Sequence, residues 1–167
     1  MAVMPDRRAT LTLPTDEQIL ITREFDAPRH LVYRALTEPE LVKRWWHAKR
    51  GRVTVVEIDL RAGGAWRYVM VADDGMEVGF HGTYREIVPD ERLVTVEVFE
   101  GLPEGVSEED AATVNTATLI GDDERTTLTI LVQAPSKIAR DAIIDSGMEL
   151  GLQDALDLLE ETASSLA

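Results

Sequence analysis

The sequence predicts an α+β fold, an antiparallel sheet with its helices gathered on one side. Three observations carry this. From Arg52 to Ala134, apolar and β-branched residues alternate with polar ones, interrupted only by short turns. Two brief helical patterns precede that run. After it, Ile144, Met148, Leu152, Ala155 and Leu159 recur at the spacing of one helical face. Short turns join antiparallel neighbours, and strands segregated from helices along the chain indicate α+β rather than α/β architecture.

Residues 1–10 carry no periodic pattern and are expected to form a flexible arm, leaving 11–167 as a single domain. From Leu11 or Glu17 to Phe25 the chain reads as a strand, and Asp26-Ala27-Pro28 as a capped helix start. Leu31, Val32, Ala35 and Leu36 give that short helix its apolar side. Thr37-Glu38-Pro39-Glu40 has the form of a capping box with proline in the first turn, predicting a second short helix through Trp46. Strands follow at Val53–Leu60, around Trp66–Met70, at Val78–Val88 and at Leu93–Phe99, punctuated by Gly63-Gly64, Asp73-Asp74-Gly75 and Pro89-Asp90-Glu91. An acidic loop spans Gly101–Asp110. Val114–Ile120 and Arg125–Val132 then form a hairpin about Asp122-Asp123.

Pro135 is expected to open one long helix running to about Leu166, roughly 45 Å at 1.5 Å per residue. Gly147 and Gly151 interrupt it one turn apart, each at a cost of about 1 kcal/mol against alanine. They mark either a close approach or kink, or room left beneath the helix for a ligand.

Seventeen Lys and Arg against 31 Asp and Glu give a formal net charge of −14. Such a surface repels phosphate backbones and anionic lipid, so neither nucleic acid nor membrane is an expected partner. With no cysteine there is no disulfide, thiolate ligand or thiol nucleophile, which fits a reducing cytoplasm. No segment is long and apolar enough for a bilayer. The Arg7-Arg8 pair is followed by Ala-Thr-Leu-Thr-Leu-Pro rather than an apolar stretch, so no export signal is read. His30, His47 and His81 lack metal-ligand spacing, and the aspartate pairs belong to turns. No GxSxG, P-loop or GxGxxG occurs, and Ser146 has no base near it in sequence. No metal, cofactor or catalytic residue is therefore expected, and an enzyme is the less favoured class.

Alternation gives the preferred inner faces. These are Trp66, Tyr68 and Met70; Phe80 and Tyr84; Val94, Val96 and Val98; Leu128 and Ile130; and Met148 with Leu152. If a cavity lies within, its lining is expected from these strands and helix, together with Trp45, Trp46 and the space at Gly151. Such a lining is mainly apolar with a few polar handles, the usual composition of a small-molecule site. His81 is a candidate polar handle if it faces inward, but alternation favours the outer face for His81, Thr83 and Arg85.

Ile21-Thr22-Arg23-Glu24-Phe25-Asp26-Ala27-Pro28 and Leu36-Thr37-Glu38-Pro39-Glu40-Leu41-Val42 with Trp45-Trp46 resemble the domain family of Hsp90 ATPase activator homologues. That family sits within the START-like, or Bet v 1-like (SRPBCC), superfamily. Asp59-Leu60-Arg61-Ala62-Gly63-Gly64 with Trp66, His81-Gly82-Thr83-Tyr84, and Ser146-Gly147-Met148 ahead of Gly151 fit the same pattern, over residues 17–162. The resemblance implies a helix-grip fold, a curved antiparallel sheet wrapped around a long C-terminal helix with a cavity between. It implies a carrier or sensor for a hydrophobic or aromatic small molecule. The alternative is a module that regulates a chaperone or other ATPase, and a hydrolase or cyclase working in the cavity comes third.

Overall fold

The computed structural model of the chain describes residues 8–167. The greater part of the expected arm, residues 1–7, lies outside them. Its described end is held in place: Ala9 is buried, and its backbone N–H and C=O both bond the Gln153 side chain at 2.8 Å.

Strand β1 (Thr10–Thr12) pairs with β2 (Gln18–Phe25), and helices α1 (Arg29–Thr37) and α2 (Pro39–Val42) follow. Next come β3 (Gly51–Ile58), β4 (Ala65–Ala72), β5 (Glu77–Val88) and β6 (Arg92–Phe99). A short helix, α3 (Glu108–Ala111), leads into β7 (Thr113–Gly121) and β8 (Thr126–Gln133), and α4 (Lys137–Asp145) and α5 (Met148–Ser164) close the chain. The strands form one curved eight-stranded antiparallel sheet in the order β1-β2-β8-β7-β6-β5-β4-β3. The α+β helix-grip architecture is therefore present, with the helices after the first long strand and the terminal helices on one face.

That face is sealed at one end. Ile19, Phe25, Val32, Leu128 and Leu159 are each 1% exposed or less, where α1 and α5 pack together over β2 and β8. Arg23 points into the same face and is itself buried. Its guanidinium lies 5.1 Å from the centre of the Phe25 ring and bonds Asp157 at 2.8 Å and Glu160 at 3.5 Å, tying α5 to β2. Trp45 Nε1 donates to Ala35 O at 2.8 Å and locks the turn after α2 onto α1.

Four local expectations are corrected. The terminal helix is not continuous: Gly147 has φ +81°, a left-handed conformation that breaks the hydrogen-bond ladder between α4 and α5. Pro135 does not open α4; Ser136 does, its Oγ accepting from Ala139 N at 3.0 Å. The capping box at Thr37 does not form, because Thr37 Oγ1 donates back to Tyr33 O at 2.8 Å and Glu38 takes the cap position without a side-chain bond. Asp26 likewise leaves the start of α1 to Pro28, which caps it without a side-chain bond.

Candidate functional site: the open end of the concave face

Strand register decides what the concave face presents. Trp66, Gly82, Glu97 and Thr113 stand in one row across β4 to β7. Beside it, Tyr84, Thr95, Asn115 and Val132 form a second row, and Val56, Tyr68, Phe80 and Phe99 a third. Trp46 comes down onto this wall from the turn after α2, with ring centres 5.6 Å from Tyr68 and 5.8 Å from Phe80. Trp66 leans on Tyr68 at 4.9 Å, and Phe80 on Phe99 at 5.2 Å.

These side chains point into the protein, yet Tyr68, Phe80, Thr95, Glu97, Asn115, Met148 and Leu152 keep accessible surface. Packing therefore leaves this part of the wall uncovered. Gly151 supports this from the helix side, since a Cβ built on it would meet nothing within 4 Å. By helical position Gly151 lies between the inward face of Met148, Ala155 and Leu152 and the flank of Asp154. Asp154 in turn binds Arg50 at 2.8 Å. Gly151 is thus at the edge of the inward face of α5, with open space beside it.

Polar groups punctuate the wall. Asn115 Nδ2 donates to Glu97 Oε2 at 2.8 Å and Thr113 Oγ1 to the same oxygen at 3.5 Å. Burial pushes the Glu97 carboxyl above its ordinary range, and those two hydrogen bonds only partly oppose it. Burial also raises Tyr68 well above the usual phenol value, and Tyr84 to about 12, against the lowering effect of the hydrogen bond Tyr84 accepts from Tyr68. Trp66 Nε1 and Asn115 Oδ1 are buried with no hydrogen-bond partner among the described residues.

Of the residues expected to line a cavity, the fold brings together Trp46, Trp66, Tyr68, Met70, Phe80 and Tyr84 on the wall, with Met148, Gly151 and Leu152 on α5. Trp45 belongs to the packed core between α1 and its neighbours. Val96 and Val98 are not on this face. They pair with Thr83 and His81 on the convex side, as Val94 does with Glu86, so β6 turns Leu93, Thr95, Glu97 and Phe99 inward. The three valines read as an inner stripe because they are uniformly apolar. On that face Glu108, from the segment after β6, reaches back to His81, the partner of Val98.

His81 lies there too, and is no handle for the interior. Its Nδ1 is 2.9 Å from Glu100 and its Nε2 3.1 Å from Glu108, while Glu100 also takes a bidentate pair from Arg67. The Arg67 hydrogen bonds are the main reason the Glu100 carboxyl is held below its usual range.

Glu97, Asn115, Thr113 and Gly82 are the site residues the sequence did not reveal. The one available signal was an acid alone among valines in the run Leu93–Phe99. Among the described residues, no group of three His, Asp or Glu side chains is placed to hold a metal ion. No described helix is long and apolar enough to cross a membrane. Two open surface depressions, of 480 Å³ beside Arg29, Glu86 and Arg92 and of 430 Å³ beside Arg52 and Asp73, lie away from the aromatic wall and are rimmed by charged side chains.

A curved sheet gripping a terminal helix, with an aromatic wall left partly uncovered, defines a START-like, Bet v 1-like domain. Solved structures with this arrangement are numerous. A protein from Rhodobacter sphaeroides superposes with TM-score 0.83 at 23% identity, covering 95% of this chain and 99% of that one. One from Chromobacterium violaceum gives 0.75 at 28% identity, covering 89% and 98%. An AHSA1-like protein from Aeromonas hydrophila gives 0.63 at 19%, covering 88% and 93%. Comparison with curated proteins gives no match. Residues 26–164 match the family described as Activator of Hsp90 ATPase homolog 1-like protein, and the chain belongs to that family.

Proposed function

We propose that the protein binds a hydrophobic or aromatic small molecule between the sheet and α5, as a carrier or sensor rather than an enzyme. The observation that carries this is the pairing of accessible, inward-pointing Tyr68, Phe80 and Leu152 with the unopposed space at Gly151. Aromatic walls bury large areas of a guest, and a few polar groups orient it. Mass spectrometry of small molecules retained by the purified protein tests the proposal, followed by titration of the compounds found. At 100 times the dissociation constant a ligand stabilises the native state by about 2.7 kcal/mol, roughly 5–11 °C in Tm for a chain of this size. Unchanged Tm and unchanged tryptophan fluorescence across lipids and aromatic metabolites would refute it.

The family description supports a second reading, a module acting on a chaperone ATPase, and the net charge of −14 suits a basic partner surface. ATPase rates of Hsp90 measured with and without the protein at several salt concentrations separate the two. An unchanged rate removes the second.

A further inference from the structure

The open end of the concave face holds a carboxyl group with no cation beside it among the described residues. Glu97 sits mid-row between Gly82 and Thr113, far from the Arg23 cluster at the sealed end. The neighbours that act on its carboxyl are Asn115 and Thr113, both uncharged; Trp66 stands in its own row, and Tyr68, Phe80 and Tyr84 in the adjoining ones. The two donors converge on Oε2, which fixes the carboxyl plane and leaves Oε1 without a protein hydrogen bond. Asn115, having spent its amide N–H on Glu97, leaves Oδ1 unpartnered as well. Among the described residues, neither Glu97 Oε1 nor Asn115 Oδ1 therefore has a donor to accept from. A buried acceptor left unmade is costly, and a buried carboxylate without a counter-charge more so.

At Gly82, between Trp66 and Glu97 in the row, a Cβ would clash with Val96 O and come within 3.1 Å of Trp66 Nε1, so glycine is what lets the indole edge lie close to the strand beside Glu97. The surrounding rings offer faces that attract a cation, and the net charge of −14 raises the local concentration of cations around the whole molecule.

We propose that the ligand is an organic cation, a protonated primary amine on an aromatic or apolar body. Its ammonium donates to Glu97 Oε1 and Asn115 Oδ1 while its body lies against Trp46, Tyr68 and Phe80. This rests on the small-molecule reading above and gives it a chemical class. An ammonium supplies three donors and the missing charge at once, where an alcohol supplies one donor and no charge, and a carboxylate would repel Glu97.

The test compares naphthylmethylamine, naphthylmethanol and naphthoate, matched in body and differing in head, by calorimetric titration of the full chain and of Glu97→Gln. The amine is expected to bind wild type at least about tenfold more tightly than the alcohol, the usual worth of one charge-assisted hydrogen bond, with naphthoate weakest. In Glu97→Gln the amine falls to the level of the alcohol, whose own affinity stays within about twofold and so reports an intact fold. Equal binding of amine and alcohol to wild type overturns the inference and leaves the small-molecule reading standing. So does a preference that survives Glu97→Gln, or tighter binding of naphthoate. If none of the three binds wild type at millimolar concentration, the small-molecule reading and the inference fall together.

Discussion

Two glycines four residues apart should respond to the same substitution with opposite sign. Gly151 has ordinary helical geometry and its missing Cβ faces open space, so Gly151→Ala adds a methyl group without a clash. It removes the conformational cost of glycine in a helix, a gain of about 0.5–1 kcal/mol, or roughly 1–4 °C in Tm at this chain length. Gly147 also has nothing within 4 Å of a built Cβ, but its φ is +81°. There the strain lies within the backbone, where Cβ crowds the following carbonyl, and Gly147→Ala should cost about 1–2 kcal/mol, roughly 2–8 °C. Thermal unfolding of the wild type and the two variants, by circular dichroism at one pH, reads both signs. If Gly151→Ala is destabilising, α5 lies against the sheet with no gap at that point. The open space read at Gly151 would then be wrong, and with it the support that position gives to a binding space beside α5.

Arg23 is buried, so removing both its partners in Asp157→Ala/Glu160→Ala strands a charge and should cost about 3–5 kcal/mol in urea unfolding. A loss below about 1 kcal/mol would mean the guanidinium is solvated. At Gly82 the clash with Val96 O forbids a Cβ, and Gly82→Ala should lose at least about 3 kcal/mol or fail to fold; a variant melting within a degree of wild type refutes that register. Glu97 titrates higher in the folded state than its ordinary value of 4.5. Its contribution to stability is therefore fully present below that value and is lost as pH rises through the folded pKa. Glu97→Gln does not titrate, so its Tm relative to wild type should climb between about pH 4.5 and neutrality, and a constant difference would show that Glu97 is solvated.

Much of this architecture was legible because turns and alternation speak locally. Asp73-Asp74-Gly75 and Asp122-Asp123 mark hairpins whatever surrounds them, and helical spacing at Leu152, Ala155 and Leu159 fixes which side of α5 turns inward. The errors came where a distant contact decides. Whether Gly147 kinks or continues a helix depends on a φ that sequence does not encode. Thr37 has two hydroxyl partners to choose from, and chose the carbonyl of Tyr33. The facing of β6 was the costly miss. Arg85 is an extra residue in β5, bulged between Tyr84 and Glu86, and the register it leaves sets Glu97 inward and Val96 outward. A one-residue choice flips every side chain in a strand, and three valines outvoted one acid in the pattern.

The two ends of the interior invert the usual order of side-chain deletions. In an ordinary core, truncating phenylalanine costs about 3–5 kcal/mol and leucine about 2–5, with phenylalanine removing more buried surface. Here Leu128 is 1% exposed within the sealed cluster, whereas Phe80 keeps accessible surface on the open wall and touches Trp46 and Phe99 mainly by ring edges and tilts. Leu128→Ala should therefore cost about 3–4 kcal/mol and Phe80→Ala less than about 2, measured as shifts in the urea midpoint at unchanged m-value. A saturating ligand should raise wild type well above its own ligand-free stability but help Phe80→Ala much less, because the ring gains its missing contacts only when the space is occupied. If Phe80→Ala instead exceeds Leu128→Ala by 1 kcal/mol or more, on the order expected from buried area alone, that wall is packed core and no guest lies against it.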